Sequence, residues 1–225
     1  MTTLIIDNSI HRAFLKEGKW TARFIKGETD VLFGEQGLKD LDLSKYKRVI
    51  LTGSEASITK MQPWMEQQME AVREIVEKGI PLLGICFGHQ LIARALGGKD
   101  CVRKMPKPEF GWRPIKLESG CGLFENIQSP AYQLCTHLDE VIKPPAEFEV
   151  VAHSDLCPVQ AIQMKGKPVW GIQFHPEISI AQGKRLLMLI KALYPTENLG
   201  IQEAIGNAGG SEIARELFAN FQDVS

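Results

Sequence analysis

The chain has 225 residues, a formal net charge of −1 and five cysteines. That length suits one α/β domain with a full core and some appendage, and the near-neutral charge removes any electrostatic case for nucleic acid or an anionic membrane. The cysteines Cys86, Cys101, Cys121, Cys135 and Cys157 are odd in number and form no C-x-x-C pair, which argues against a disulfide framework or a zinc site and for a reducing, cytoplasmic setting.

In chain order, Leu4–Ile6 is the first apolar run and a candidate strand. The segment before it lacks the basic start of a signal peptide, and no apolar stretch reaches the roughly 20 residues needed to span a bilayer. Arg48-Val49-Ile50-Leu51-Thr52-Gly53 is a second strand ending at a turn glycine. Pro63–Lys78 carries Trp64, Met65, Met69, Val72, Ile75 and Val76 at helical spacing, and Gly79 stops it. Ile80–Ile85 is apolar at nearly every position, the pattern of a strand covered on both faces in a parallel sheet. Strand, helix and strand make one right-handed crossover unit. A helix over Gln90–Leu96 follows, closed by Gly97-Gly98.

Beyond it the pattern changes. Arg103-Lys104-Met105-Pro106-Lys107 reads as a solvated basic loop rather than a phosphate site. Pro114–Leu117, Tyr132–Thr136, Phe148–Ala152, Pro158–Met164 and Val169–Phe174 are short strands, an antiparallel addition to the sheet. Gly183–Leu193 is a closing helix, broken at Tyr194-Pro195-Thr196-Glu197-Asn198. Ser211 is the expected N-cap of a last amphipathic helix with Ile213, Ala214, Leu217, Phe218 and Phe221 on one side. That tail is expected to pack back on its own domain.

The richest stretch is Gly84-Ile85-Cys86-Phe87-Gly88-His89-Gln90. A buried strand turns into a helix with a cysteine at the turn and a glycine two positions to either side. This is the cysteine form of a nucleophile elbow. The helix N-terminus there favours a thiolate over a thiol. A thiol nucleophile needs a base, and the base needs an orienting group. Gln173-Phe174-His175-Pro176-Glu177 offers both. Pro176 forces His175 into an extended conformation, so His175 and Glu177 point the same way. The order nucleophile, histidine, acid sets this chain apart from α/β-hydrolases, in which the acid precedes the histidine. Oxyanion donors are expected from the Phe87 N–H and from Gly53, although Gly53 can also be read as an ordinary turn glycine.

Taken together, the cysteine elbow, the His-Pro-Glu segment and the Thr52-Gly53-Ser54 turn resemble a class I (triad-type) glutamine amidotransferase domain over roughly Leu4 to Leu193. Glu109-Phe110-Gly111-Trp112 and Thr136-His137-Leu138-Asp139-Glu140-Val141 resemble the GMP synthase glutaminase-domain branch and its freestanding relatives. The resemblance implies a flavodoxin-like α/β fold, an open and mostly parallel sheet with helices on both faces and added antiparallel strands. It divides the chain into an amidotransferase domain over 1–193 and a helical tail over 194–225. It implies glutamine as substrate, Cys86, His175 and Glu177 as catalytic residues, and Gly53 and Phe87 as the oxyanion hole. Gln90, Leu138 and Asp139 are the implied substrate-binding positions, with no cofactor and no metal.

The sequence departs from the family pattern in three respects. The oxyanion turn is Thr-Gly-Ser instead of a double glycine, and Leu138 stands where glycine is common. No G-x-x-x-x-G-K-[ST] loop or Ser-Gly-Gly-x-Asp loop is present, so a freestanding amidase with a separate synthase or other ammonia acceptor is expected. A γ-glutamyl peptidase or transferase on the same triad, and a non-catalytic module that keeps the fold, are the alternatives.

Overall fold

The computed structural model describes residues 2–38, 41–193 and 200–224. Nine strands form one sheet in the order β2-β1-β3-β4-β9-β8-β7-β5-β6. Its parallel half is β1 (Thr2–Asp7), β2 (Thr29–Phe33), β3 (Tyr46–Leu51), β4 (Leu82–Ile85) and β9 (Val169–Ile172). Its antiparallel half is β5 (Val102–Leu117), β6 (Ala131–Val141), β7 (Phe148–His153) and β8 (Ala161–Met164). The helices are α1 (Glu17–Ala22), α2 (Pro63–Glu77), α3 (Phe87–Gly97), α4 (Ile180–Leu193), α5 (Ile201–Gly206) and α6 (Ala214–Asp223).

The period-2 geometry of the strands divides their apolar residues between two faces. Leu4, Ile6, Val49, Leu51 and Leu82 pack with Met65, Val72 and Ile75 of α2 and Phe87, Leu91 and Ile92 of α3. The intervening Ile5, Ile50, Leu83 and Ile85 face the other way, onto Leu217, Phe218 and Phe221 of α6. The C-terminal helix therefore completes the second face of the parallel sheet, with those three side chains fully buried. Phe24 stacks on Phe218 and the Trp170 ring meets Phe221 edge-on.

Two local expectations change, and one strand is unexpected. The basic cluster is part of strand β5, not a loop: Arg103 and Lys104 pair with Glu140 and Asp139 of β6, and the ladder is interrupted between Lys104 and Glu109. The interruption accommodates Pro106 and Pro108, which cannot donate to a ladder. The Arg103 side chain pairs with Glu140 at 2.8 Å. Ser211 does not cap the last helix. Its hydroxyl instead accepts the Tyr132 N–H at 3.1 Å and its own N–H goes to the Tyr132 carbonyl, so it clips the tail to the sheet's outer strand. The helix begins after Ile213, which sits at the N-cap position without a side-chain cap. Strand β2, which the apolar patterning does not reveal, forms the other edge beside β1. The expected break at Tyr194–Asn198 lies outside the described residues. Among the described residues no helix is long and apolar enough to cross a membrane.

Candidate active site

The elbow forms because the sequence leaves room for it. Strand β4 ends at Ile85, Cys86 takes φ 50° and ψ −100°, and α3 starts at Phe87. Cys86 and Asn126 are the positive-φ non-glycine residues among those described, a backbone state that costs about 1–3 kcal/mol and persists where its surroundings enforce it. Here the Cys86 N–H is held by the Ile172 carbonyl of β9 at 2.7 Å, and the Cys86 carbonyl takes the Gln90 N–H at 3.1 Å. A Cβ on Gly84 would collide with the backbone of Gly88 and His89, and one on Gly88 would collide with the end of β3 at Leu51. Both glycines are thus demanded by close packing of α3 on the sheet. Cys86 itself is buried at the carboxyl end of a central strand, the crevice position at which open α/β sheets bind ligands.

His175 arrives from the adjacent strand. Just past β9 it makes an isolated antiparallel bridge to Leu134 of β6, with its N–H on the Leu134 carbonyl at 2.9 Å. Its Nδ1 meets Glu177 Oε1 at 2.7 Å, and both side chains are almost completely buried. Burial is the largest influence on the imidazole and pushes its pKa down. Glu177 and then Cys86 outweigh it and hold the imidazolium well above the usual histidine range. Nε2 has no hydrogen-bond partner among the described residues.

The Thr52-Gly53 turn closes the site. Thr52 is clamped to the end of β1, accepting the Asn8 N–H on its hydroxyl at 2.9 Å and the Asn8 side-chain amide on its carbonyl at 3.2 Å. A Cβ on Gly53 would come within 3.0 Å of His175 Cε1, so this glycine lies directly against the imidazole. Phe87 opens α3, so its N–H has no partner one turn back.

The structure brings Cys86, His175, Glu177, Gly53 and Phe87 to one place, and sets Gln90 and Asp139 nearby. Gln90 is buried, with its amide nitrogen donating to the Asp139 carbonyl at 2.7 Å and to Gln173 Oε1 at 3.0 Å. Asp139 accepts the Ser57 hydroxyl on Oδ2, while its buried Oδ1 has no partner among the described residues. Leu138, one residue earlier on β6, projects to the opposite side. It packs on the cluster of Leu15, Phe110, Leu134, Ile178, Leu186, Leu187 and Ile201.

The sequence assigns no role to several residues of the site, although Glu109 and His137 lie within the segments that carry the family resemblance. Behind Asp139, His137 Nε2 pairs with Glu109 Oε2 at 2.9 Å and Nδ1 with the Asp139 carbonyl at 3.0 Å, and Gln160 donates to the same Glu109 oxygen at 2.9 Å. Glu17, the first residue of α1, is buried against Gly53, His175 and Glu177. Two buried sets, Glu17–His175–Glu177 and Glu109–Cys135–His137, bring three possible ligand atoms within 4.8 Å. In each the imidazole and a carboxylate already bond each other, so neither is assigned as a metal centre. Burial pushes up the thiols of Cys101, Cys121, Cys135 and Cys157, the last to about 12.

The family model "Glutamine amidotransferase class-I" matches residues 9–190. A glutamine-hydrolyzing GMP synthase subunit of Methanocaldococcus jannaschii is 32% identical over 183 residues, covering 78% of this chain and 88% of that protein. The glutamine-hydrolyzing GMP synthase of Clostridium acetobutylicum is 40% identical over 134 residues, covering 60% of this chain, which spans only 25% of that protein's length. Among solved structures, a glutamine amidotransferase from Thermotoga maritima superposes with a TM-score of 0.80 at 20% identity, covering 99% of this chain and 96% of its own. One from Methylobacillus flagellatus gives 0.77 at 20%, covering 98% and 94%. These two likenesses establish the fold. With the match over residues 9–190, the chain belongs to the class-I glutamine amidotransferase family.

Proposed function

We propose that this chain hydrolyses the side-chain amide of glutamine and hands the ammonia to a separate synthase protein. The observation that carries the reading is the pairing of a buried cysteine held at φ 50° with an imidazole fixed by Glu177 at 2.7 Å. Cys86 Sγ, having given its proton to His175, attacks the amide carbon, and the oxygen that becomes negative is met by the N–H groups of Phe87 and Gly53. His175 gives its proton to the departing ammonia, leaving a γ-glutamyl thioester. Water, deprotonated by His175, then cleaves the thioester and releases glutamate. Glu177 keeps Nδ1 protonated and the ring aimed at the sulfur. Asp139 Oδ1, buried and unpartnered, suits a substrate ammonium group, and Gln90 fixes the strand that presents it. Leu138, on the other side of β6 from Asp139, packs on the apolar cluster and is given no contact with substrate. Residues 1–193 are assigned to the amidase and 194–225 to a C-terminal tail, whose helix α6 covers the sheet.

The archaeal relatives are named as one subunit of a GMP synthase, which supports an acceptor on another chain. The test is ammonia release from glutamine by the purified protein, with Cys86→Ala as control and a panel of γ-glutamyl peptides alongside. Glutaminase activity that rises with a co-purifying synthase supports the proposal. Peptide cleavage without glutaminase activity overturns it in favour of a γ-glutamyl peptidase, and inertness toward both overturns it in favour of a binding module.

A further inference from the structure

Glu17 is a buried carboxyl beside the reacting histidine to which the proposed mechanism gives no task. Its place is built with care. Its backbone N–H reaches the Ser9 hydroxyl at 3.4 Å, and the next N–H, of Gly18, donates to Asp7 Oδ2 at 3.0 Å, tying the start of α1 to the end of β1. Gly18 has no room for a side chain, since a Cβ there would approach Asp7 to 2.9 Å or less. The Glu17 carboxyl is thereby pushed under the Thr52-Gly53 turn, and its Oε2 would collide with a Cβ on Gly53. It lies within 4.8 Å of the ligating atoms of His175 and Glu177. Glu17 Oε2 and Glu177 Oε2 are both buried without a hydrogen-bond partner among the described residues.

We propose that Glu17 is a positioning residue of this amidase: its buried carboxyl, lodged beneath the oxyanion turn and beside His175 and Glu177, sets the turn and the imidazole for the reaction. The proposal rests on the reading of Cys86, His175 and Glu177 as the reacting groups.

The groups that face Glu17 are Asp7 from β1, Glu55 from the segment before α2, and His175 and Glu177 from the segment after β9. Burial disfavours the carboxylate most strongly. His175 opposes that, while Glu177, Glu55 and Asp7 add to it, and the Glu17 carboxyl is pushed up to about 8. The uncharged acid is therefore the favoured form of Glu17, which lies against the Gly53 turn. When its proton leaves to solvent, a negative charge appears beside the oxygen that must itself become negative, and beside the imidazolium that must give up its proton to ammonia. Both effects raise the barrier.

The test compares the wild type with Glu17→Gln, which mimics the neutral acid and cannot ionise. The wild-type turnover of glutamine should fall several-fold between pH 7.5 and 9, in the range set by a carboxyl near 8. Glu17→Gln should lose that fall. The His175 ring nitrogens, followed by NMR, should shift in the same pH range in the wild type and not in the variant. This readout needs no turnover, so failure of the glutaminase reading is distinguishable from failure here. Identical pH profiles in the two proteins, or a ring signal that is flat in the wild type, overturn the proposal. Should Glu17→Gln not fold, wild-type protein carrying 13C-labelled glutamate carboxyls decides: a carboxyl titrating near pH 8 supports it, and titration of every glutamate below pH 6.5 overturns it.

Discussion

Replacing Gly84 by alanine tests whether the elbow is held by the approach of α3 to β4. The three atoms nearest an added Cβ all belong to the backbone of Gly88 and His89, the His89 nitrogen at 2.7 Å. Non-bonded heavy atoms settle at about 3.5–4.0 Å, so strand and helix must part by roughly 1 Å. Overpacking of this kind costs about 1–3 kcal/mol. A gain of about 0.4–1 kcal/mol from a less flexible unfolded chain offsets part of it, because Gly84 has an ordinary φ. The net loss of about 1–2 kcal/mol lowers the unfolding midpoint by about 2–8 °C in a chain of this size. Moving the sulfur by a similar distance costs about a hundredfold in turnover. Calorimetry and steady-state glutamine hydrolysis measure both. Gly122→Ala is the control, since nothing lies within 4 Å of a Cβ there, and it should stay within about 0.5 kcal/mol of wild type. A Gly84→Ala protein with wild-type midpoint and turnover would refute the packing argument.

Other outcomes follow from the same structure. Glu177→Gln keeps the size of the group that holds His175 Nδ1 but removes its charge, and should lower kcat for glutamine by roughly 10³–10⁴ in steady-state assays. Phe218→Ala empties a fully buried position between α6 and the sheet and should cost about 3–5 kcal/mol in urea unfolding. His89 is fully buried on α3, and burial, then the neighbouring His137, push its pKa down to about 3. Its unfolded value near 6.5 lies above that, so the unfolded chain binds the extra proton. Stability is complete above pH 6.5 and falls by about 1.4 kcal/mol per unit as pH drops toward 3. Urea titrations at pH 7, 5 and 4 measure this limb, and His89→Asn should flatten it.

What the sequence made legible was local. The elbow and the His-Pro-Glu segment are each written in consecutive residues, and their geometry follows from the strand–helix turn and from Pro176. The continuous apolar runs of β1, β3 and β4 announced a sheet covered on both faces. Strand β2 escaped because Thr29–Phe33 is a half-exposed edge, with too little apolar patterning to stand out. Most of β5 escaped because the basic block Arg103-Lys104-Met105-Pro106-Lys107 reads as a solvated loop, whereas the fold takes it into a strand whose ladder to β6 is interrupted between Lys104 and Glu109. Ser211 had the chemistry of a cap, but the sheet edge at Tyr132 competes for its hydroxyl and wins. Glu17 sits in a polar stretch, and its burial is created by contacts with Gly53, His175 and Glu177, 36 residues away and more. The Glu109–His137–Gln160 network likewise joins three separate strands or their flanks. No spacing rule reaches contacts of that kind.

Everything proposed for the site requires Cys86, alone of five buried cysteines, to be the nucleophile. Mass spectrometry of the intact protein after treatment with a glutamine-like diazoketone examines that requirement without any acceptor or partner. One adduct is expected, mapped to Cys86, slowed by excess glutamine and absent from Cys86→Ala. No adduct, or an adduct on Cys101, Cys121, Cys135 or Cys157 that persists in Cys86→Ala, would show that the nucleophile is misassigned.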